Sequence, residues 1–392
     1  MTKAPARVLP VLVLAQLIGT STWFAVNAVM PDLQSAFGWP ARDIGTLTSA
    51  VQLGFILGAL VFALLSIADR FSARRVFLLC SIAQALCTLA AVYCAESFVL
   101  LCLWRGLTGF FLAGIYPVGM KIAAQWFPQG LGAALGFLVG ALVLGSASPH
   151  ALRAMSAGWP WESVFYGVAL AALFAGLLLH TLIPEPPIRA SRIVGLQFRA
   201  LWTAMSNAKV RASMFGYFGH MWEMYSLWVL APMILLTRLS DAVLSWTAFV
   251  VLGAGVLGCV IGGQCARRIG GARVAGIQLS ISGLCCLISP WMLESAVPLF
   301  LLWMLVWGTT VSGDSPQFSA LTANNSPPEW VGSILTLSNC IGFGISIVSI
   351  QLFVMLSETI ALSRLLPWLA LGPLLGLLAL RPLLRLEQQS AA

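Results

Sequence analysis

Charge is what this sequence has least of. Only 9% of its 392 residues are Asp, Glu, Lys or Arg, against roughly 25% in a soluble domain. Most of the chain therefore cannot face water. Histidine is scarce as well, with three residues in all. There is no H-E-x-x-H, no G-x-S-x-G and no Asp-rich loop, so the common hydrolase arrangements are missing and no motif asks for a metal or a cofactor. The nine cysteines fall within or at the ends of apolar runs, and no CxxC pair occurs. They read as small buried apolar residues rather than as a redox or metal site. Between the apolar runs no polar stretch is long enough to fold as a soluble domain, which argues against a sensor or scaffold. An enzyme is not expected.

What is present is apolar length. The chain is 59% hydrophobic, with a mean hydropathy of +0.93. A spanning helix needs ~20 apolar residues. Twelve runs qualify, at roughly 8–29, 44–68, 75–95, 98–126, 131–153, 162–183, 211–236, 243–266, 273–293, 298–325, 331–356 and 360–380. The first follows Lys3 and Arg7 but continues past Gly19 to Met30. That is longer than the ~7–15 residues of a signal-peptide core, so it reads as an uncleaved first helix. With the N-terminus inside and the runs alternating, fifteen basic residues fall on the cytoplasmic side. Only Arg42, Arg153, Arg238 and Arg364 fall outside. This bias fixes the orientation and places both termini in the cytoplasm. The net charge of +8 thus reflects topology and contact with the lipid bilayer. The basic residues are scattered over short loops, so nucleic acid is not an expected partner. The expected fold class is all-α integral membrane, with twelve transmembrane helices.

The longest polar stretch begins "PEPPIRASRIVGLQFR" and covers 184–210. It reads as a cytoplasmic linker, with room for an amphipathic helix lying on the membrane. It divides the chain into an N-terminal six-helix bundle, 1–183, and a C-terminal one, 211–392. The halves resemble each other at a shift of 199 residues: Gly109 meets Gly308, Gly114 meets Gly313, Pro117 meets Pro316, and Trp104 meets Trp303. The same shift aligns "LTSAVQLG" (47–54) with "WTAFVVLG" (246–253). Glycine and proline mark backbone geometry, so these matches point to duplication. Pro117 and Pro316 thus fall at equivalent depths of the fourth and tenth runs, and kinked helices at corresponding positions of two halves point to a transporter's moving parts. Gly258 and Gly262 in the eighth run form a small-xxx-small repeat suited to close helix packing.

The loop after the second run reads "DRFSARR" (69–75), and the equivalent loop after the eighth reads "GQCARRIGGAR" (263–273). With twelve spans in two repeats, this resembles the major facilitator superfamily, whose loop motif is G-x-x-x-D-R-x-G-R-R. Asp69, Arg70 and Arg74 fit that motif, whereas Leu65, Ser72 and Ala73 depart from it. The second copy keeps Gly263, Arg268 and Gly270 but has Arg267 at the acidic position. The resemblance covers nearly the whole chain. It implies two pseudo-symmetric six-helix bundles around a central cavity, with Asp69, Arg70, Arg74 and Arg268 as a conformational gate that bridges helix ends. "RGLTG" (105–109) looks like the family's arginine-bearing motif. The glycine-proline motif of the drug antiporters and the glycine-rich signature of the nitrate porters are not matched.

Four charged residues and one histidine lie well within the runs, away from their ends: Arg105, Lys121, His220, Glu223 and Asp314. Each costs ~3 kcal/mol or more at mid-bilayer, so function is the default reading. Glu223 lies about 18 Å from the start of its run, near the middle of a core about 30 Å thick. His220, three residues earlier, shares nearly the same face. A histidine–carboxylate set is the chemistry that proton coupling uses, and Asp314, two residues before Pro316, joins His220 and Glu223 in that role. Arg105 and Lys121 are expected to meet the substrate. Thr22, Trp23, Asn27, Tyr116, Trp222, Tyr225 and Gln317 would add hydroxyl, amide and aromatic surface. The function expected is secondary transport of a small organic anion, coupled to protons, by a functional monomer in a bacterial inner membrane. Export of drugs or metabolites is the alternative, with Glu223 and Asp314 attracting a cation.

Overall fold

A computed structural model of the chain describes residues 4–127, 131–185 and 195–389, with the backbone alone for 131–133. Lys3 lies outside these residues, as does Pro128, which the 199-residue shift aligns with Pro327. So do residues 186–194, and with them much of the expected linker. All regular structure in the described residues is helical. Only helices satisfy every backbone donor and acceptor within one segment, as a hydrocarbon surround requires.

The chain divides into two compact units, Met1–Leu196 and Gln197–Ala392. The division falls inside the 184–210 stretch. The first unit holds α1 (Val8–Gly19), α2 (Ala25–Ala28), α3 (Met30–Phe37), α4 (Asp43–Leu64), α5 (Ile67–Arg70), α6 (Ala73–Tyr93), α7 (Phe98–Leu112), α8 (Tyr116–Trp126), α9 (Leu131–Met155) and α10 (Glu162–Leu182). The second holds α11 (Arg199–Ser206), α12 (Ala208–Leu236), α13 (Asp241–Gly253), α14 (Gly255–Ile269), α15 (Gly271–Leu293), α16 (Val297–Gly313), α17 (Ser315–Asn325), α18 (Val331–Ser357), α19 (Leu362–Leu365) and α20 (Leu371–Gln389).

Ten helical segments among the described residues are long and apolar enough to cross a membrane. Two of the twelve apolar runs fall outside that set for physical reasons. The first is broken into α1, α2 and α3, so no piece of it is long enough. The seventh, α12, is a continuous 29-residue helix whose hydropathy is lowered by His220, Glu223 and Tyr225.

Helices within each unit approach closely where glycine permits it. A Cβ at Gly109 in α7 would lie 1.9 Å from the Val51 carbonyl oxygen of α4, and one at Gly308 in α16 would lie 2.1 Å from the Val251 carbonyl oxygen of α13. These glycines are the aligned pair of the 199-residue repeat, so the repeat has a physical counterpart: the crossing is built twice between equivalent helices, with the partner carbonyl one residue further along in the second copy. The Gly258 backbone meets that of Thr309 in a similar way, 2.0 Å from a hypothetical Cβ. A second correspondence involves Arg74 and Arg273, again 199 apart. Arg74 on α6 donates to the carbonyls of His180 (3.1 Å), in the last turn of α10, and Ile183 (2.5 Å), just beyond it, and pairs with Glu185 at 3.1 Å. Arg273 on α15 donates to the Glu387 carbonyl of α20 at 2.8 Å.

Candidate functional site

In the first unit the site grows from the break in the first run. Residues 20–24 leave the helix between α1 and α2, which frees carbonyl groups in a region that offers no water. Two side chains capture them. Arg105 of α7 donates through Nη2 to the carbonyls of Thr22 (2.8 Å) and Trp23 (2.7 Å). Gln84 of α6 donates through Nε2 to the Gly19 carbonyl at 2.9 Å, and the Thr22 hydroxyl donates to Gln84 Oε1 at 3.3 Å. Asn27 bonds the Thr48 hydroxyl at 3.0 Å, and the Trp23 ring lies 5.0 Å from that of Phe55. Arg105, Thr22, Trp23 and Asn27 are all buried. The structure therefore brings together four of the residues singled out for substrate. Arg105 Nε and Nη1 have no hydrogen-bond partner among the described residues.

Lys121, also expected to meet the substrate, is engaged elsewhere in this unit. Lys121 pairs with Asp69 Oδ1 at 2.5 Å and also donates to the Ala68 carbonyl. It thereby ties α8 to the short α5 and does not join Arg105. The observed partner of Asp69 thus lies within its own unit. Tyr116 opens α8, just past the interruption at 113–115, and is half-buried. Of the other expected gate residues, Arg70 and Arg268 are exposed at helix ends, and Arg74 is held by α10 as described above.

In the second unit His220 and Glu223 share α12 but part company. His220 Nδ1 lies 2.7 Å from Asp314 Oδ1, with both side chains buried. This is an ion-pair distance, although the N–H does not line up as a hydrogen bond and neither Asp314 oxygen accepts an aligned one. Asp314 is the single residue between α16 and α17, and Pro316 follows it. Proline has no N–H to give, so the helix is interrupted there. Tyr217 stacks on His220 with ring centroids 5.7 Å apart.

Glu223 instead turns toward α15 and α16. Its Oε1 accepts from Trp307 Nε1 at 2.7 Å and from Cys286 Sγ at 3.1 Å; its Oε2 accepts from the Ser282 hydroxyl at 3.0 Å. Three donors around one buried carboxyl offset much of its desolvation. Sequence reasoning did not name Trp307, Ser282 or Cys286. The available signal was the polar stripe Ser282, Cys286 and Ser289 on α15 at helical spacing, all three buried. Gln317 is buried one residue after Pro316. Trp222 and Tyr225 face α18, against Phe353 (5.8 Å) and Phe343 (5.4 Å). The two units thus differ in sign: a buried guanidinium in the first, and two buried carboxyls with a histidine in the second. No cluster of three or more His, Cys, Asp or Glu able to hold a metal occurs among the described residues.

Comparison with known proteins gives a consistent result. The family model of the Major Facilitator Superfamily matches residues 12–350. A Haemophilus influenzae protein described as a "putative metabolite transport protein" is 28% identical over 279 residues, 63% of this chain and 63% of its own length. The chloramphenicol resistance protein of Streptomyces lividans is 29% identical over 278 residues, 67% of each. The match therefore spans about two thirds of these relatives. The crystal structure of the human organic anion transporter MFSD10 superposes with a TM-score of 0.72 at 17% identity, over 96% of this chain and all of that one.

Proposed function

Since the chain belongs to the major facilitator superfamily, a family of multi-pass membrane transporters, we propose that it is a proton-coupled secondary transporter of a small organic anion. It works as a monomer by alternating access in the inner membrane of a bacterium, with both termini cytoplasmic. The observation that carries this reading is the His220–Asp314 pair, buried at 2.7 Å where α16 gives way to α17. A titratable pair at an interrupted membrane helix is well placed to couple proton binding to a change of conformation. Glu223, one turn from His220 in its own cradle of donors, is the second proton-binding group. Arg105 receives the anion through the two guanidinium nitrogens that the protein leaves unpartnered, with Thr22, Trp23 and Asn27 beside it. Tyr116, Gln317, Trp222 and Tyr225 contribute polar and aromatic surface. Asp69, Arg70, Arg74 and Arg268 serve the gate at the cytoplasmic ends.

The test is reconstitution in vesicles that trap a pH-sensitive dye, challenged with a panel of small carboxylates and phosphate esters. One of them should drive proton entry and accumulate against its gradient. Glu223→Gln and Asp314→Asn should abolish accumulation and spare counterflow exchange; unchanged uphill transport in both variants would refute the coupling role. A second reading, export of a drug or metabolite, draws on the Streptomyces relative named for chloramphenicol resistance. Chloramphenicol efflux from loaded cells that express the protein separates it from anion uptake.

A further inference from the structure

The cytoplasmic-side end of the second unit carries a feature that transport chemistry does not use. Between the start of α12 and the end of α20 runs a groove of about 330 Å³. Its walls are Ala208, Arg211, Ala212 and Phe215 of α12 on one side and Ala379 and Pro382 of α20 on the other. We propose that this groove binds one anionic phospholipid of the cytoplasmic leaflet, with the phosphate on Arg211 and an acyl chain along Phe215, Ala379 and Pro382.

Three observations carry the assignment. The first is depth. Immediately before α12 lies α11, whose Ala200 and Ala204 are buried against Val210, Met214 and Ile334. Its opposite face presents Phe198, 60% exposed, and Trp202, 79% exposed. A short helix with a buried alanine face and an exposed tryptophan belongs at the membrane–water boundary. Only Asn207 separates α11 from α12, so the α12 side of the groove lies at headgroup level. The second is charge. Arg199, Lys209, Arg211, Arg381 and Arg385 are all exposed at this end, and Arg385 lies one turn beyond Pro382. The acid near the end of α20, Glu387, is taken up by the backbone N–H groups of Ala272 and Arg273 at the start of α15, each at 2.9 Å. The surface is therefore complementary to phosphate. The third is preorganisation. Arg211, which lines the groove, donates through Nη1 to the Met205 carbonyl at 2.5 Å, which restrains the guanidinium and leaves its other N–H groups for a ligand. An apolar trough beside a restrained guanidinium fits a lipid better than a bare anion, which would leave the trough empty.

The proposal is tested by native mass spectrometry of the purified chain released from micelles containing equal phosphatidylglycerol and phosphatidylcholine. The wild-type protein should retain the anionic lipid preferentially. Arg211→Gln should reduce that preference about fivefold, and adding Arg385→Gln should remove the rest. Ala379→Trp, which fills the trough and keeps the charge, should lower retention of phosphatidylglycerol as well. Arg364→Gln, at the opposite end of the unit, should change nothing. The proposal is overturned if preference survives Arg211→Gln, if Ala379→Trp has no effect, or if millimolar inorganic phosphate displaces the lipid completely.

Discussion

At the residue scale, the arrangement is decided by which buried polar atoms find each other. His220 and Glu223 are three residues apart on one helix, and their spacing alone suggests a pair. The structure separates them because each has a better partner. Trp307, Cys286 and Ser282 converge on Glu223, while Asp314 comes within 2.7 Å of His220. That Glu223 and Asp314 are buried polar sites was legible in the sequence, since a carboxyl at mid-run is conspicuous. The partners were not, because pairing across helices depends on rotation about helix axes that no local spacing encodes. The pairing makes a quantitative prediction. Removing one of two buried polar groups in contact leaves the other unsatisfied at a cost of about 1–3 kcal/mol, whereas replacing both members costs far less. His220→Asn and Asp314→Asn should therefore each lower unfolding stability in detergent by about that much, and the double variant should regain most of the loss. Strictly additive losses in this double-mutant cycle would mean that the two groups do not interact.

At the scale of elements, helices in lipid associate by close packing and backbone proximity, since no water is released when two apolar faces meet. The glycine crossings are where this chain achieves it. With a Cβ only 1.9 Å from the Val51 oxygen at Gly109 and 2.1 Å from the Val251 oxygen at Gly308, neither site accepts alanine unless α4 and α7, or α13 and α16, move apart. Overpacking of this kind costs typically 1–3 kcal/mol. Gly109→Ala and Gly308→Ala should each lower the thermal midpoint of the purified protein. Gly263→Ala in α14, with nothing within 4 Å of its Cβ, should raise it slightly through helix propensity worth about 1 kcal/mol. Equal behaviour of the three variants would show that these crossings do not limit stability. The sequence pointed to Gly109 and Gly308 by their shared spacing, and to the interruptions near Pro117 and Pro316 by proline itself. It did not reveal the break at 20–24. No proline or glycine falls between Thr20 and Phe24, and the interruption is held by Arg105 and Gln84 from other helices.

At the scale of the whole molecule, sequence was most informative where the physics is one-dimensional. Apolar length sets the spans without knowledge of any contact, and ten of the twelve runs stand in the structure as helices long and apolar enough to cross a membrane. The repeat is legible because duplication copies backbone-limiting residues into both halves; the opposite charge of the two buried sites is legible because duplication did not copy those. Orientation rests on loop charge alone, with fifteen basic residues on one side against four on the other, and native cysteines can report it. Cys94 follows the C-terminus of α6 and is partly exposed, and Cys265 is exposed in the last turns of α14. With the N-terminus inside, α6 ends at the outer surface and α14 at the inner one. In variants that retain one of these cysteines and no other, a membrane-impermeant maleimide should label Cys94 in intact cells. It should reach Cys265 only in inside-out vesicles. The reverse pattern would invert the topology, and would move the Arg211 groove and the Asp69–Lys121 pair to the outer face, where anionic lipid is not expected to concentrate.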